Sequence, residues 1–151
     1  MGFTADSSTA YSNTFNEDDV ITFELVRFSR NTVFDTVGGF TCTQNGYYQF
    51  TLHLVVPPGL LAQAKILKDG VTLLRVHAGD DGWDDTGSVS VFSQCAEGQN
   101  VQVACSRPVC TVKGTTRFTA RRLKGECVFD TFINYFFFYL FRFRPPSAND
   151  N

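Results

Sequence analysis

The chain has 151 residues, enough for one domain with a substantial core. Its net charge is −2 and 19% of its residues are charged, a balance that argues against nucleic acid, whose binding domains are usually strongly basic. Phenylalanine occurs 16 times, and seven copies fall after residue 125, so the chain is not uniform along its length.

Taken in chain order, Val20 to Phe28 alternates β-branched or aromatic residues with polar ones and predicts a strand. Phe34 to Phe50 reads as strand, glycine turn, strand, turn, strand. Asn45-Gly46 is a hairpin signal, because both residues tolerate positive φ, and Tyr48, Phe50 and Leu52 then repeat at period two up to Val56. Pro57-Pro58-Gly59 ends that strand, since proline cannot continue a central ladder. Ala64 to Lys68 and Val71 to Val76 are joined by Asp69-Gly70, a second hairpin signal. Gly79 to Thr86 predicts a loop, Ser88 to Phe92 and Val101 to Cys105 two strands, and Thr115 to Leu123 a last strand. Short strands at this spacing predict an all-β, antiparallel sandwich or jelly roll over residues 1–124.

Residues 125–151 form an aromatic-rich tail. Its longest clean apolar run is Tyr135 to Phe141, seven residues, against the roughly 20 that a spanning helix needs, so no transmembrane segment is predicted. The tail is read as lying outside the domain's design, an alternative terminus or translated non-coding sequence. No signal peptide is visible at Met1-Gly2-Phe3-Thr4.

Five cysteines, Cys42, Cys95, Cys105, Cys110 and Cys127, leave at least one unpaired in a monomer. Cys105 and Cys110 flank a turn, and a bridge would close that hairpin if their Cα atoms come within about 7 Å. No CxxC pair favours zinc.

Chemistry-bearing residues are sparse. His53 and His77 have no evident Ser or Cys partner, and neither a phosphate loop nor HExxH occurs, so no enzyme is expected. Lys113, Arg117, Arg121, Arg122 and Lys124 cluster late, either as a basic patch for a phosphate or, more plainly, as charged gatekeepers on an edge strand. Asp80, Asp81, Trp83, Asp84 and Asp85 surround one tryptophan. That loop is either solvated, with Trp83 folded onto the sandwich, or a ligand loop, with the indole stacking on a sugar or a cation. Asp81 and Asp84 are the candidate ligands for calcium, which takes several carboxylate oxygens, although the spacing is not that of an EF-hand. No cofactor is required.

Several of these pieces together resemble the globular C1q domain of the C1q and TNF-like superfamily. Phe3-Thr4-Ala5 is similar to the family's opening strand, and Val20-Ile21-Thr22-Phe23 with Phe34-Asp35 to its next stretch. Phe40, Gly46, Tyr48 and Phe50 fit F-x5-G-x-Y-x-F. Lys68-Asp69-Gly70, Gly87-Ser88-Val89, Glu97-Gly98-Gln99-Asn100-Val101 and Thr116-Arg117-Phe118-Thr119 follow in the family's order. Ser29, Thr43, Leu52 and Ala120 depart from the usual residues, and no collagen-like stalk is present, as in a divergent, invertebrate-type member.

The resemblance implies a jelly-roll sandwich, a homotrimer, an extracellular location and a non-enzymatic binding role. The first expectation is a secreted recognition module for microbial or glycan and anionic ligands in innate immunity. The alternatives are an assembly or signalling ligand of cerebellin or adipokine type that binds a protein receptor, or a truncated product with little function. The matched aromatic and glycine residues are expected to build the fold and not the site.

Overall fold

The computed structural model describes residues 1–123 except Gly38, Asp80 and Asp81. The basic residue Lys124 and the tail 125–151 lie outside the described residues, as do two of the loop aspartates.

Among the described residues twelve strands follow in order: β1 (Gly2–Asp6), β2 (Ser12–Asn16), β3 (Leu25–Arg30), β4 (Val33–Asp35), β5 (Gly39–Thr41), β6 (Gly46–Val56), β7 (Ala62–Lys68), β8 (Val71–Ala78), β9 (Asp85–Cys95), β10 (Asn100–Cys105), β11 (Val109–Lys113) and β12 (Arg117–Arg122). One sheet has the order β3-β1-β12-β6-β9 and the other β4-β5-β10-β7-β8, all antiparallel, while β2 and β11 pair as a separate ribbon. Strand neighbours distant in sequence, such as β1 with β12, make this a jelly-roll sandwich.

The alternation in β6 explains the core. Tyr48, Phe50, Leu52, Leu54 and Val56 point inward and are fully buried. Phe40 comes across from the facing sheet to lie 5.8 Å from Tyr48 and 5.9 Å from Phe50, both edge-on. Phe3 stacks on Phe34 at 4.2 Å and meets Phe118 edge-on at 5.4 Å. Each buried ring contributes roughly 1.5–3 kcal/mol through removal of apolar surface from water.

Two glycines are demanded by geometry. Asp69 and Gly70 have φ of 46° and 80°, the left-handed pair of a two-residue hairpin between Lys68 and Val71. At Gly39, φ is 88° and a Cβ would fall 2.5 Å from the Val101 carbonyl oxygen, so only glycine lets β5 sit against β10.

The structure also corrects several expectations. Asn45-Gly46 does not close a hairpin, because β5 and β6 belong to different sheets; the chain turns there to cross the sandwich. In the predicted strand Val20 to Phe28, only the end from Leu25 is a ladder strand. Ile21 and Phe23 are buried as the alternation required, but their N–H groups bond Val103 and Thr36 carbonyls at 2.8 and 3.3 Å while the segment bridges the sheets. Cys105 and Cys110 are joined, with Cα atoms 6.0 Å apart, yet β10 and β11 do not pair with each other, so the bridge ties a sheet to the β2–β11 ribbon. Finally, β12 is not an edge strand but lies between β1 and β6.

Candidate functional site

The register places four connections at one end of the sandwich, its apex. Val56 faces Asp85, Ala62 faces Ala78, Asp6 faces Arg117 and Ser12 faces Lys113. The apex therefore carries segments 7–11, 57–61 and 114–116 together with residues 79 and 82–84.

Trp83 stands 83% exposed there, so the indole does not fold onto the sandwich as the plainer reading of the sequence had it. Next to it, the Asp84 carboxylate accepts a hydrogen bond from Lys113 Nζ at 2.6 Å. The same ammonium lies 4.6 Å from the centre of the Tyr11 ring, and Tyr11 is 65% exposed. The hydrogen bond to Asp84 and the pair's attraction raise the Lys113 pKa and keep the ammonium charged. Asp85 is turned inward, and its carboxylate accepts the Gly79 N–H at 2.7 Å, which pins the start of the loop. The loop is further seated by Gly79 lying against Leu61, and both Leu60 and Leu61 are exposed beside it.

Tyr11, Lys113 and Asp84 thus form one cluster, and the exposed Trp83 precedes Asp84 in the same loop. Rings of this kind stack on the apolar face of a sugar or under a cation, and the charged groups can exchange their mutual hydrogen bond for ones to ligand hydroxyls. Of the sequence-derived loop residues, Trp83, Asp84 and Asp85 are described, and Asp80 and Asp81 are not. A cation bound at Asp84 would have to displace Lys113, and among the described residues no group of three or more His, Cys, Asp or Glu side chains could hold a metal ion. Tyr11 escaped the sequence reading, since its only local signal is an isolated aromatic in a Ser- and Thr-rich stretch, and its neighbour Lys113 is about 100 residues away in the chain.

The basic cluster does not form one patch. Lys113 is on the ribbon and paired with Asp84. Arg117 points from the outer face of β12 and holds Asp6 at 2.7 Å, together with Arg27 at 2.8 Å. Arg121, on the same face, donates to Gln49 Oε1 at 2.6 Å. Arg122 is turned the other way at the opposite end and donates to the Asn45 carbonyl at 2.9 Å. Burial pushes the Asp6 carboxyl up, but the hydrogen bonds from Arg117 and Arg27 and their positive charge outweigh it and hold the group below the usual carboxylate value.

His53 also differs from expectation. It does find a serine, because β6 and β9 place its Nδ1 2.5 Å from Ser88 Oγ. The other cross-strand neighbour is Arg117, a cation that cannot orient an imidazole as a carboxylate does, and the pair lies on an open sheet face.

The outer face of the β3-β1-β12-β6-β9 sheet is laid with small hydroxyls. Thr4 and Thr119 hydroxyls are 3.2 Å apart and those of Thr51 and Ser90 2.7 Å apart. Phe92 and Phe28 stand out from this face, 62% and 54% exposed.

Solved structures share this architecture. The globular domain of zebrafish complement 1qA protein superposes with a TM-score of 0.64 at 14% identity, covering 81% of this chain and 96% of that one. The Eiger TNF of S. frugiperda does so with a TM-score of 0.66 at 7% identity, covering 82% and 92%. The fold is therefore the C1q/TNF-like jelly roll. The family model for the C1q domain matches residues 2–122, and the chain belongs to that family. No curated protein matches it in sequence. Domains of this class form trimers, are commonly extracellular and are typically recognition or ligand modules without enzymatic activity. Among the described residues no helix is long and apolar enough to cross a membrane.

Proposed function

We propose that this chain is a secreted, trimeric C1q-like recognition module that binds glycan or anionic microbial surface ligands in innate immunity through its apex. The observation that carries this is the exposed Trp83, a stacking ring that precedes Asp84 in the loop, with Asp84, Lys113 and Tyr11 clustered as hydrogen-bonding groups and a second ring. A wet, exposed surface of this kind binds weakly at each copy. Three copies on one rigid body convert weak sites into useful avidity on a repetitive surface.

The trimer is proposed to form through the β3-β1-β12-β6-β9 sheet. Its exposed Phe92 and Phe28 are apolar side chains on that face which a neighbouring copy would cover. Residues 125–151 are proposed to lie outside the domain, consistent with the family match ending at residue 122.

The test is a glycan array, followed by calorimetric titration of the ligands found, with the wild type, Trp83→Ala and Tyr11→Ala. Binding that falls at least tenfold in Trp83→Ala, with an unchanged melting temperature, is the expected result. An empty array, with a protein receptor captured through the outer sheet face, would favour the assembly-ligand reading instead. Calcium added to the same titration tests Asp81 and Asp84, since an Asp81→Asn/Asp84→Asn double variant should remove any calcium-dependent heat. Sedimentation of 1–125 and 1–151 reads the trimer and the tail together, and Phe92→Glu should shift the trimer toward monomer.

A further inference from the structure

Among the described residues, two cysteines take no part in the bridge between Cys105 and Cys110. Cys42 and Cys95 are free thiols, 0% and 1% exposed. They are 53 residues apart in sequence, but the fold brings their segments together at the end of the sandwich opposite the apex. Cys42 follows β5 and, two positions after the buried Phe40, points into the interior from one sheet. Cys95 ends β9 opposite Gly46 and continues the inward parity of Val89 and Val91 from the other sheet.

Backbone bonds clasp the two segments. Cys42 N–H donates to the Gln99 carbonyl at 2.8 Å, and Gly98 N–H donates to the Cys42 carbonyl at 2.8 Å. Glu97 N–H donates to Asn45 Oδ1 at 2.8 Å. Inside this clasp the two thiols lie close enough to perturb each other's ionisation, raising the pKa of Cys42 and lowering that of Cys95. A cleft of about 490 Å³ reaches the spot from solvent, lined by Cys95, Lys68, Asn45, Gln94, Ala96 and Gln99. Lys68 is fixed in it by bonds to the Gln94 carbonyl at 2.7 Å and Ser93 Oγ at 3.0 Å.

We propose that Cys42 and Cys95 are a second cystine site, an oxidisable pair that closes into a disulfide between the two sheets on exchange with a small-molecule disulfide. The two thiols are not equivalent. The proximity of Cys42 lowers the Cys95 pKa, opposed by burial and helped by the positive charge of Lys68. The same proximity, with burial, raises that of Cys42. Cys95 is therefore the attacking sulfur, and it is also the one on the cleft.

As a thiolate, Cys95 attacks one sulfur of the donor; the donor S–S bond breaks, and one thiol departs with a proton. Cys42 then loses its proton and attacks the Cys95 sulfur of the mixed disulfide. The second donor thiol leaves with a proton as the Cys42–Cys95 bond forms. Two electrons pass from the protein to the donor, and excess thiol reverses the sequence.

The experiment uses the full chain carrying Cys127→Ser, so that Cys42 and Cys95 are its only free thiols. It is incubated with oxidised glutathione and then titrated for thiols in denaturant. The expected count falls from two to zero, peptide mapping without reductant shows a Cys42–Cys95 cross-link, and the melting midpoint rises by several degrees. Cys42→Ala in that background should stop at a glutathione adduct on Cys95. Two intact thiols after prolonged exposure, or an adduct that forms but never resolves in the Cys127→Ser chain, would overturn the proposal. The same map of the wild-type chain needs no variant to fold: a Cys42–Cys95 cross-link supports the site, and Cys95 joined to Cys127 overturns it.

Discussion

Phe118 and Trp83 are both aromatic, and they divide the molecule between them. Phe118 is 1% exposed and touches the rings of Phe3, Phe23 and Phe50, drawn from β1, the segment before β3, and β6. Trp83 is 83% exposed at the apex, and its chain neighbour Asp84 is ion-paired with Lys113. An aromatic that many strands enclose holds the sandwich together and is hidden from any ligand. One that the fold holds out in water contributes little to stability and is free to meet a partner. Aromatic richness alone therefore does not locate function; the register of the strand beneath each ring does.

That division can be broken at graded positions. Phe118→Ala should cost about 3–5 kcal/mol, read by denaturant unfolding, because it leaves a cavity between the sheets. Asp6→Asn should cost about 2 kcal/mol at neutral pH through weakened charge-assisted bonds from Arg27 and Arg117. Its pH dependence sharpens the test. The folded-state pKa of Asp6 is depressed, so its contribution is complete above the ordinary value of 3.8 and is lost as pH falls through the folded value. A urea midpoint followed from pH 6 downward should drop more steeply in wild type than in Asp6→Asn. Replacing both Cys105 and Cys110 by Ser should cost about 2 kcal/mol, the modest figure for so short a loop, and loosen the ribbon beside the apex. Trp83→Ala should change stability by no more than about 0.5 kcal/mol while removing ligand binding. Substantial unfolding in that variant would show that the apex is part of the core after all.

Much of this architecture is legible in the residues. The period-two run from Tyr48 to Val56 and the Asp69-Gly70 turn each carry their structure locally, and the strand and hairpin are where that chemistry puts them. Asn45-Gly46 shows the limit. Turn residues encode a reversal of the chain, but the sheet that receives the next strand is decided by long-range packing. The ribbon strand Ser12–Asn16 has one apolar residue and no alternation to read, and it exists because β11 pairs with it from the far end of the chain. The basic cluster fails as a patch for a related reason: neighbours in sequence alternate faces on β12, and their partners Asp6, Gln49 and Asn45 are set by register. At the apex, the acidic loop around Trp83 is visible in the sequence, whereas the approach of Tyr11 and Lys113 is a product of the fold.

The pairing of β1 with β12 has a consequence for the life of the chain. Thr4 and Thr119, which meet across that ladder, are 115 residues apart. During synthesis the opening strand emerges first and must wait for nearly the whole domain before its permanent neighbour leaves the ribosome. Until then β6 also lacks one of its two flanking strands, and its apolar face has no finished interior to enter. A topology with so many distant pairings folds slowly, in about milliseconds to seconds once complete. The nascent protein is thus most exposed to misassociation just before its last strand is made, and a chain stopped short of β12 is a poorer folding substrate than its small deletion suggests.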